Sequence, residues 1–328
     1  MTKTGKLRRS MIFAAASIAA APAAVLAADF PDKPVKLIVP YAAGGTIDLV
    51  GRLLAPKLGA LLEQPVIIDN RPGGGTMIGA SAVARAEPDG HTLFLGSNAA
   101  FTISPQIMRQ VPYDPLRSFA AVGTLASFPN LILVQPKSPY KSLGDVVQAA
   151  RANPGKLSYA SFGVGSTAEL SGEGLKVVTG ADIVEVPYKS GAQCVQAVIS
   201  GEVSFGFDTA IGSVQRVKSG QLRALVVTSP KRLSSLPDVP SIAEAGFAGT
   251  EVVAWIALFA PAATPAPTLK KLETVFQELM NDREVQQKLA DMGIEVSFQN
   301  GQATAQMVRD EYVRFGKLIQ QAKIHAAE

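Results

Sequence analysis

The sequence predicts an α/β chain folded as two lobes, each built on a five-stranded mixed sheet, with a cleft between them. Three observations predict it. A short β-rich run, a glycine- or serine-rich loop and an amphipathic helix recur along the chain, which is the grammar of helices layered on a parallel sheet. The 328 residues exceed what one hydrophobic core usually covers. A late β-rich run, Val252 to Pro261, stands alone after a proline-punctuated loop and needs a sheet made earlier in the chain.

The first 28 residues read as a cleavable export signal rather than as part of the folded product. Lys3, Lys6, Arg8 and Arg9 form a basic start, Met11 to Leu26 is an apolar run, and Leu26-Ala27-Ala28 supplies small cleavage residues. The run is shorter than the ~20 residues a spanning helix needs. Arg8-Arg9-Ser10 also suits a twin-arginine signal, so both the Sec and twin-arginine routes to the periplasm stay open. Taking those four basic residues from the 31 Lys plus Arg leaves them equal to the 27 Asp plus Glu. A formally neutral mature chain gives no reason to expect nucleic acid or an anionic membrane surface as partner. The single cysteine, Cys194, cannot form an internal disulfide, and Ala192-Gln193-Cys194-Val195 reads as a helical, buried thiol.

In the first half, strands are expected at Val35 to Pro40, Val66 to Asp69, Thr92 to Gly96 and Ala120 to Leu125. Ile47, Val50, Leu54, Leu58 and Leu61 fall at helical spacing, which predicts a helix over Gly45 to Leu62, with Pro56 removing one backbone bond and kinking it. The middle repeats the pattern. Leu131 to Gln135 precedes a helix that starts at Ser142 with Asp145 in capping-box position, and strands follow at Leu157 to Ser161, Ile183 to Pro187, Val203 to Phe207 and Leu222 to Thr228. Gly201 and Gly220 sit where left-handed helix ends require glycine. After Val252 to Pro261, three helices marked by Leu272 and Phe276, by Val285 and Leu289, and by Val308 and Phe315 finish the chain. If the chain crosses between lobes near Phe128 and returns near Val252, each crossing feeds an antiparallel strand into the new sheet. Lobe one is then 29–128 with 252–328, and lobe two is 129–251.

Two loops follow a strand and open a helix, one in each half: Tyr41-Ala42-Ala43-Gly44-Gly45-Thr46, and Ser161 to Thr167 with Gly163, Gly165 and Ser166. Glycine lets backbone amides converge, and the free amides at a helix N-terminus hold carboxylate or phosphate without a basic side chain. Both loops lie at strand C-terminal ends, the edge of an open α/β sheet where ligands bind. Ser97-Asn98, Tyr188-Lys189 and Asp208-Thr209 share that edge. Arg71 to Thr76 is a further glycine-rich turn, equally suited to a plain connector.

Enzyme signatures are lacking. The chain has no phosphate-loop motif, no G-x-S-x-G nucleophile elbow and no pair of histidines at metal spacing. His91 and His325 are the two histidines, one before a strand and so at the edge opposite the cleft, the other in the tail. No catalytic residue, metal or cofactor is therefore assigned.

At these loops the sequence resembles the substrate-binding proteins of tripartite tricarboxylate transporters, the Bug family. The matching stretches are Ile38 to Asp48, Asp69 to Gly75, Pro88-Asp89-Gly90, Val111 to Pro115, Val186 to Lys189, Leu222 to Thr228 and Leu236 to Ser241. The resemblance implies a type II periplasmic-binding-protein, or Venus-flytrap, fold that binds a small mono- or dicarboxylate and delivers it to membrane permease subunits. It maps the carboxylate loop onto Tyr41 to Thr46, the second loop onto Ser161, Gly163, Gly165, Ser166 and Thr167, and an acidic cleft position onto Asp208. Thr209-Ala210 and Ser190-Gly191-Ala192-Gln193 depart from the family pattern and leave the ligand open. The expected protein is a periplasmic, non-enzymatic, monomeric receptor. The rival readings are an exported hydrolase on the same scaffold, which would show turnover, and a sensing subunit for a membrane kinase, which would differ in partner.

Overall fold

The computed structural model describes residues 30–325 apart from 293 and 295, and the leader assigned to 1–28 lies outside them. Two sheets share one long strand. In the first, β1 (Val35–Val39), β2 (Val66–Asn70) and β3 (Thr92–Ser97) run parallel. The 16-residue strand β4 (Phe119–Val134) belongs to both sheets. In the second, β5 (Leu157–Ser161), β6 (Ile183–Pro187) and β7 (Phe205–Thr209) are parallel, and the last residues of β4 lie antiparallel between β7 and β8 (Arg223–Val227). The chain then returns as β9 (Val253–Pro261), antiparallel to both β3 and the first part of β4.

A strand that sequence reading did not assign, β10 (Val296–Asn300), pairs antiparallel with β4. The first sheet therefore has six strands and the second five, against the expected five and five. Gly123 makes room for it: a Cβ there would come 2.9 Å from the Gln299 carbonyl oxygen. The expected strands Ala120 to Leu125 and Leu131 to Gln135 are one element, because β9 pairs with β4 continuously through Phe128 and Pro129.

Helices cover the sheets. α1 (Thr46–Leu62), α2 (Met77–Ala84) and, after a π-helical turn at Ala99–Ile103, α3 (Ser104–Ile107) belong to the first half. α4 (Leu143–Ala152), α5 (Thr167–Thr179), α6 (Gly191–Ser200) and α7 (Ala210–Lys218) surround the second sheet. α8 (Ala266–Asn281), α9 (Arg283–Asp291) and α10 (Gly301–Ala322) close the chain. α1 continues past Pro56. The Ser142/Asp145 capping box forms at α4, and Gly201 ends α6 in the left-handed conformation.

Each sheet is buried on both faces. Leu37, Leu54, Leu93, Leu258 and Phe276 join α1, α8 and α9 to one face of the first sheet, and Phe94, Phe101, Trp255 and Phe259 fill the other. Tyr159, Phe205 and Phe207 centre one face of the second sheet, with Leu133, Cys194 and Val198 on the other. A smaller cluster of Ile107, Leu170, Phe315 and Ile319 ties α3 and α5 to α10, so the C-terminal helix bridges the two halves. No helix among the described residues is long and apolar enough to cross a membrane.

Candidate functional site

The strand C-terminal ends of both sheets face a cavity of about 450 Å³. It is bounded from the first half by Tyr41, Gly45, Thr46 and Ile47, and from the second by Phe162, Gly165, Ser166 and Thr167. None of the residues lining it is charged.

The two loops repeat one backbone solution. Gly44 and Gly165 take φ of 84° and 79°, a region that an L side chain rarely enters. The amide of Gly44 donates to Asp48 Oδ2 at 2.7 Å, and that of Gly165 donates to Glu169 Oε2 at 2.7 Å. One residue on, Gly45 N bonds the Ala42 carbonyl and Ser166 N the Gly163 carbonyl, each at 3.2 Å. Each glycine amide is therefore consumed inside its loop, and the anion-binding capacity passes to the first turn of the following helix. α1 starts at Gly45 with no side-chain cap, and Ser166 Oγ caps only the Glu169 amide of α5. The amides of Thr46 and Ile47, and of Thr167 and Ala168, precede the first intrahelical bonds, where partial positive charge gathers.

The carboxylates that lock the loops titrate in opposite directions. Asp48 is buried and accepts from Arg52 Nε at 2.9 Å, Asn70 Nδ2 at 2.8 Å and Gly44 N. The Arg52 guanidinium chiefly holds its carboxyl down at about 2, against desolvation. Among the described residues no cation offsets Glu169, and burial, with Glu185 and Glu173 nearby, pushes it up to about 7.

At the cavity wall, Tyr41 OH and Ser97 Oγ bond each other at 2.6 Å. Asn98 Nδ2 donates to the Val253 carbonyl at 3.2 Å and lies 3.5 Å from Glu311 Oε1, while Trp255 Nε1 donates to Glu311 Oε2 at 2.5 Å. Asn98 and Trp255 line the cavity, so α10 braces its floor through Glu311.

Of the residues singled out from sequence, Tyr41, Gly45, Thr46, Ser97, Asn98, Gly165, Ser166 and Thr167 line the cavity, and Ala42, Ala43, Gly44, Ser161, Gly163, Tyr188 and Asp208 do not. Ser161 Oγ instead bonds Glu185 and accepts from Gly163 N, buttressing its loop from below. Tyr188 packs on the Cys194 cluster, and its amide donates to the Ser161 carbonyl at 2.9 Å. The Asp208 carboxylate turns toward α7, accepting from Ser213 Oγ at 2.5 Å, and a Cβ on Gly191 or Gly212 would collide with it. Its neighbour Thr209 meets the cavity instead, as alternation along a strand requires. Cys194 is buried as expected, its thiol pushed up to about 12 by burial and donating to the Ser161 carbonyl at 3.1 Å. His91 precedes β3, accepts from the Asp32 amide, and is not among the lining residues.

Sequence reading passed over Gly75 and Thr76, which reach the cavity from the turn treated as a connector, and Ser104 after the π-helical turn. The turn follows β2 at the same sheet edge, and that position was the usable signal. The apolar walls, Phe128, Phe162, Ile211 and Trp255, carried no signal because an aromatic beside a loop reads the same whether it packs in a core or faces a ligand.

The family model described as "Tripartite tricarboxylate transporter family receptor" matches residues 50–324. The chain is 35% identical over 294 residues to a UPF0065 protein of Bordetella pertussis, covering 89% of this chain and 90% of that protein. Among solved structures it is similar to R. palustris Rpa4515 with adipate, at 34% identity and a TM-score of 0.77, covering 90% of this chain and 99% of the other. It is also similar to the periplasmic binding protein BugD, at 31% identity and a TM-score of 0.74, again covering 90% and 99%.

Proposed function

The chain belongs to the tripartite tricarboxylate transporter receptor family, and from that premise we propose that it is a periplasmic solute-binding protein that captures a small mono- or dicarboxylate between its lobes and delivers it to membrane permease subunits. The observation that carries this reading is the pair of matched helix N-termini, α1 and α5, opening on one cavity whose lining has no charged side chain. An anion there finds amide dipoles in place of a guanidinium or ammonium. Adipate in the structure of Rpa4515 supports a carboxylate. The proposed lobes are 29–128 with 252–328, and 129–251, the chain crossing within β4 and returning into β9. The carboxylate is proposed to rest on the first turns of α1 and α5, with Tyr41 to Thr46 and Ser161 to Thr167 shaping them.

Differential scanning fluorimetry with mono- and dicarboxylates, sugars and divalent cations tests this. A ligand that binds only the native state raises the melting temperature, by about 2.7 kcal/mol of stabilisation at a hundredfold excess over Kd. The expected result is a response confined to carboxylates, with no turnover of the acid that binds. Responses to sugars or cations alone would overturn the reading, and hydrolysis of a bound ester would favour the enzyme alternative.

A further inference from the structure

We infer that this cleft selects an aromatic carboxylate over amino acids and flexible or hydroxylated diacids, an inference that rests on the carboxylate reading above. Three features carry it. First, an amino group meets no opposite charge. No carboxylate lines the cavity, because Asp208 is turned toward Ser213, Glu169 is bound to the Gly165 amide and Glu311 lies behind Trp255. An ammonium confined there would find no opposite charge in the lining, which is unfavourable.

Second, most polar side chains of the lining are already engaged within the protein. Tyr41 and Ser97 bond each other, Ser166 Oγ accepts from Glu169 N, Thr167 Oγ1 accepts from Asn130 Nδ2, and Thr209 Oγ1 accepts from Gly212 N. The hydroxyls that accept keep one O–H each, which the carboxylate oxygens can take, and a hydroxyl on the ligand body would compete for the same few donors. An apolar body makes no such demand.

Third, the remaining wall is built of rings and branched aliphatics: Tyr41, Phe128, Phe162 and Trp255, with Ile47 and Ile211. A rigid ring gains edge and face contacts with such walls beyond area burial, and it loses less conformational freedom than a flexible chain. The cavity of about 450 Å³ leaves room for it beyond the carboxylate.

The chain's single tryptophan, Trp255, lines the cavity and supplies the readout. The mature protein is titrated with benzoate, phenylacetate, terephthalate, adipate, L-malate and L-aspartate, following tryptophan emission and, in parallel, heat by calorimetry. At least one aromatic acid is expected to bind about tenfold or more tighter than adipate, malate and aspartate and to change the emission. Phe162→Leu, checked for folding by circular dichroism, is expected to weaken the aromatic acid severalfold and adipate little. Adipate, malate or aspartate binding as tightly as the best aromatic acid would overturn the selectivity and leave the carboxylate reading standing. No binding by any of the six acids would overturn the selectivity, and a response to another carboxylate in the fluorimetry panel would then leave the carboxylate reading standing.

Discussion

Asp48 and Glu169 occupy equivalent places, each accepting a glycine amide four residues back at a ligand-loop helix, yet their protonation differs by environment. For Asp48 the folded carboxyl sits at about 2 against an ordinary 3.8, so its stabilising contribution is present above pH 3.8 and is lost as pH falls toward 2. The shift is equivalent to about 2 kcal/mol. Asp48→Asn is therefore expected to cost about that much near neutrality and to converge with the parent in acid, measured by urea denaturation across pH. Glu169 has the opposite sign. Its folded pKa of about 7 lies above the ordinary 4.5, so the folded state binds more protons than the unfolded chain between those values, and stability falls as pH rises through that window. Glu169→Gln keeps an acceptor for the Gly165 amide without the charge, and it should gain on the parent by up to roughly 3 kcal/mol between pH 4.5 and 7. Parallel pH profiles for variant and parent would show that Glu169 does not ionise in a buried site. The conformational demand in the first loop falls on Gly44, with φ of 84°, and not on Gly45, whose φ of −73° suits any residue. Gly44→Ala should cost about 1 kcal/mol or more and weaken carboxylate binding, whereas Gly45→Ala meets only the Ala42 carbonyl, at 3.3 Å, and should be milder.

Among the helices, α10 joins the two halves, because it packs on β4, on the π-helical turn and on α5 while placing Glu311 beneath the cavity floor. Glu311 accepts from Trp255 and from Thr102 Oγ1 at 3.3 Å, and removing it strands a buried indole N–H. Glu311→Ala should then cost about 2 kcal/mol or more and shift the tryptophan emission, while Glu311→Gln, which still offers an oxygen to the indole, should lose less. Unchanged emission in the alanine variant would mean that Glu311 does not hold the ring. The elements also separate what the sequence made legible from what it hid. α1, α5, the parallel strands and the late return strand were readable because Ile47, Val50, Leu54 and Leu58, or runs such as Leu37-Ile38-Val39, bury one face or both. α2 was not, since Met77 to Ala84 is short and apolar nearly all round, with no polar face to set off a stripe. β10 is short and half exposed, and it acquires strand character from β4 rather than from its own residues. The candidate site followed the same division: the loops announced themselves through glycine and hydroxyl residues at strand ends, while its apolar walls and the reversed roles of Asp208 and Thr209 depend on which way a strand faces.

For the whole molecule, sheets of six and five strands joined through the shared strand β4, with β9 returning the chain to the first, leave the cavity bounded by both halves. The halves touch directly at the second loop, where a Cβ on Gly165 would lie 3.2 Å from Ile107 Cδ1, on α3 of the first half. That is tighter than ordinary van der Waals contact, and φ of 79° adds strain for any side chain. A carboxylate that contacts both α1 and α5 should favour this closed arrangement over an open one, because its interaction free energy is complete only when both helix N-termini reach it. Small-angle scattering of the protein is therefore expected to show a smaller radius of gyration at saturating ligand. Gly165→Val should keep the two lobes apart: its branched side chain occupies the space Ile107 fills on closure, so the radius should stay large with ligand and affinity should fall about tenfold or more. Circular dichroism and an unchanged far-ultraviolet spectrum guard against simple misfolding. A variant that contracts on ligand as the parent does, or a parent whose radius is the same with and without ligand at proven saturation, would count against closure through the α5 loop.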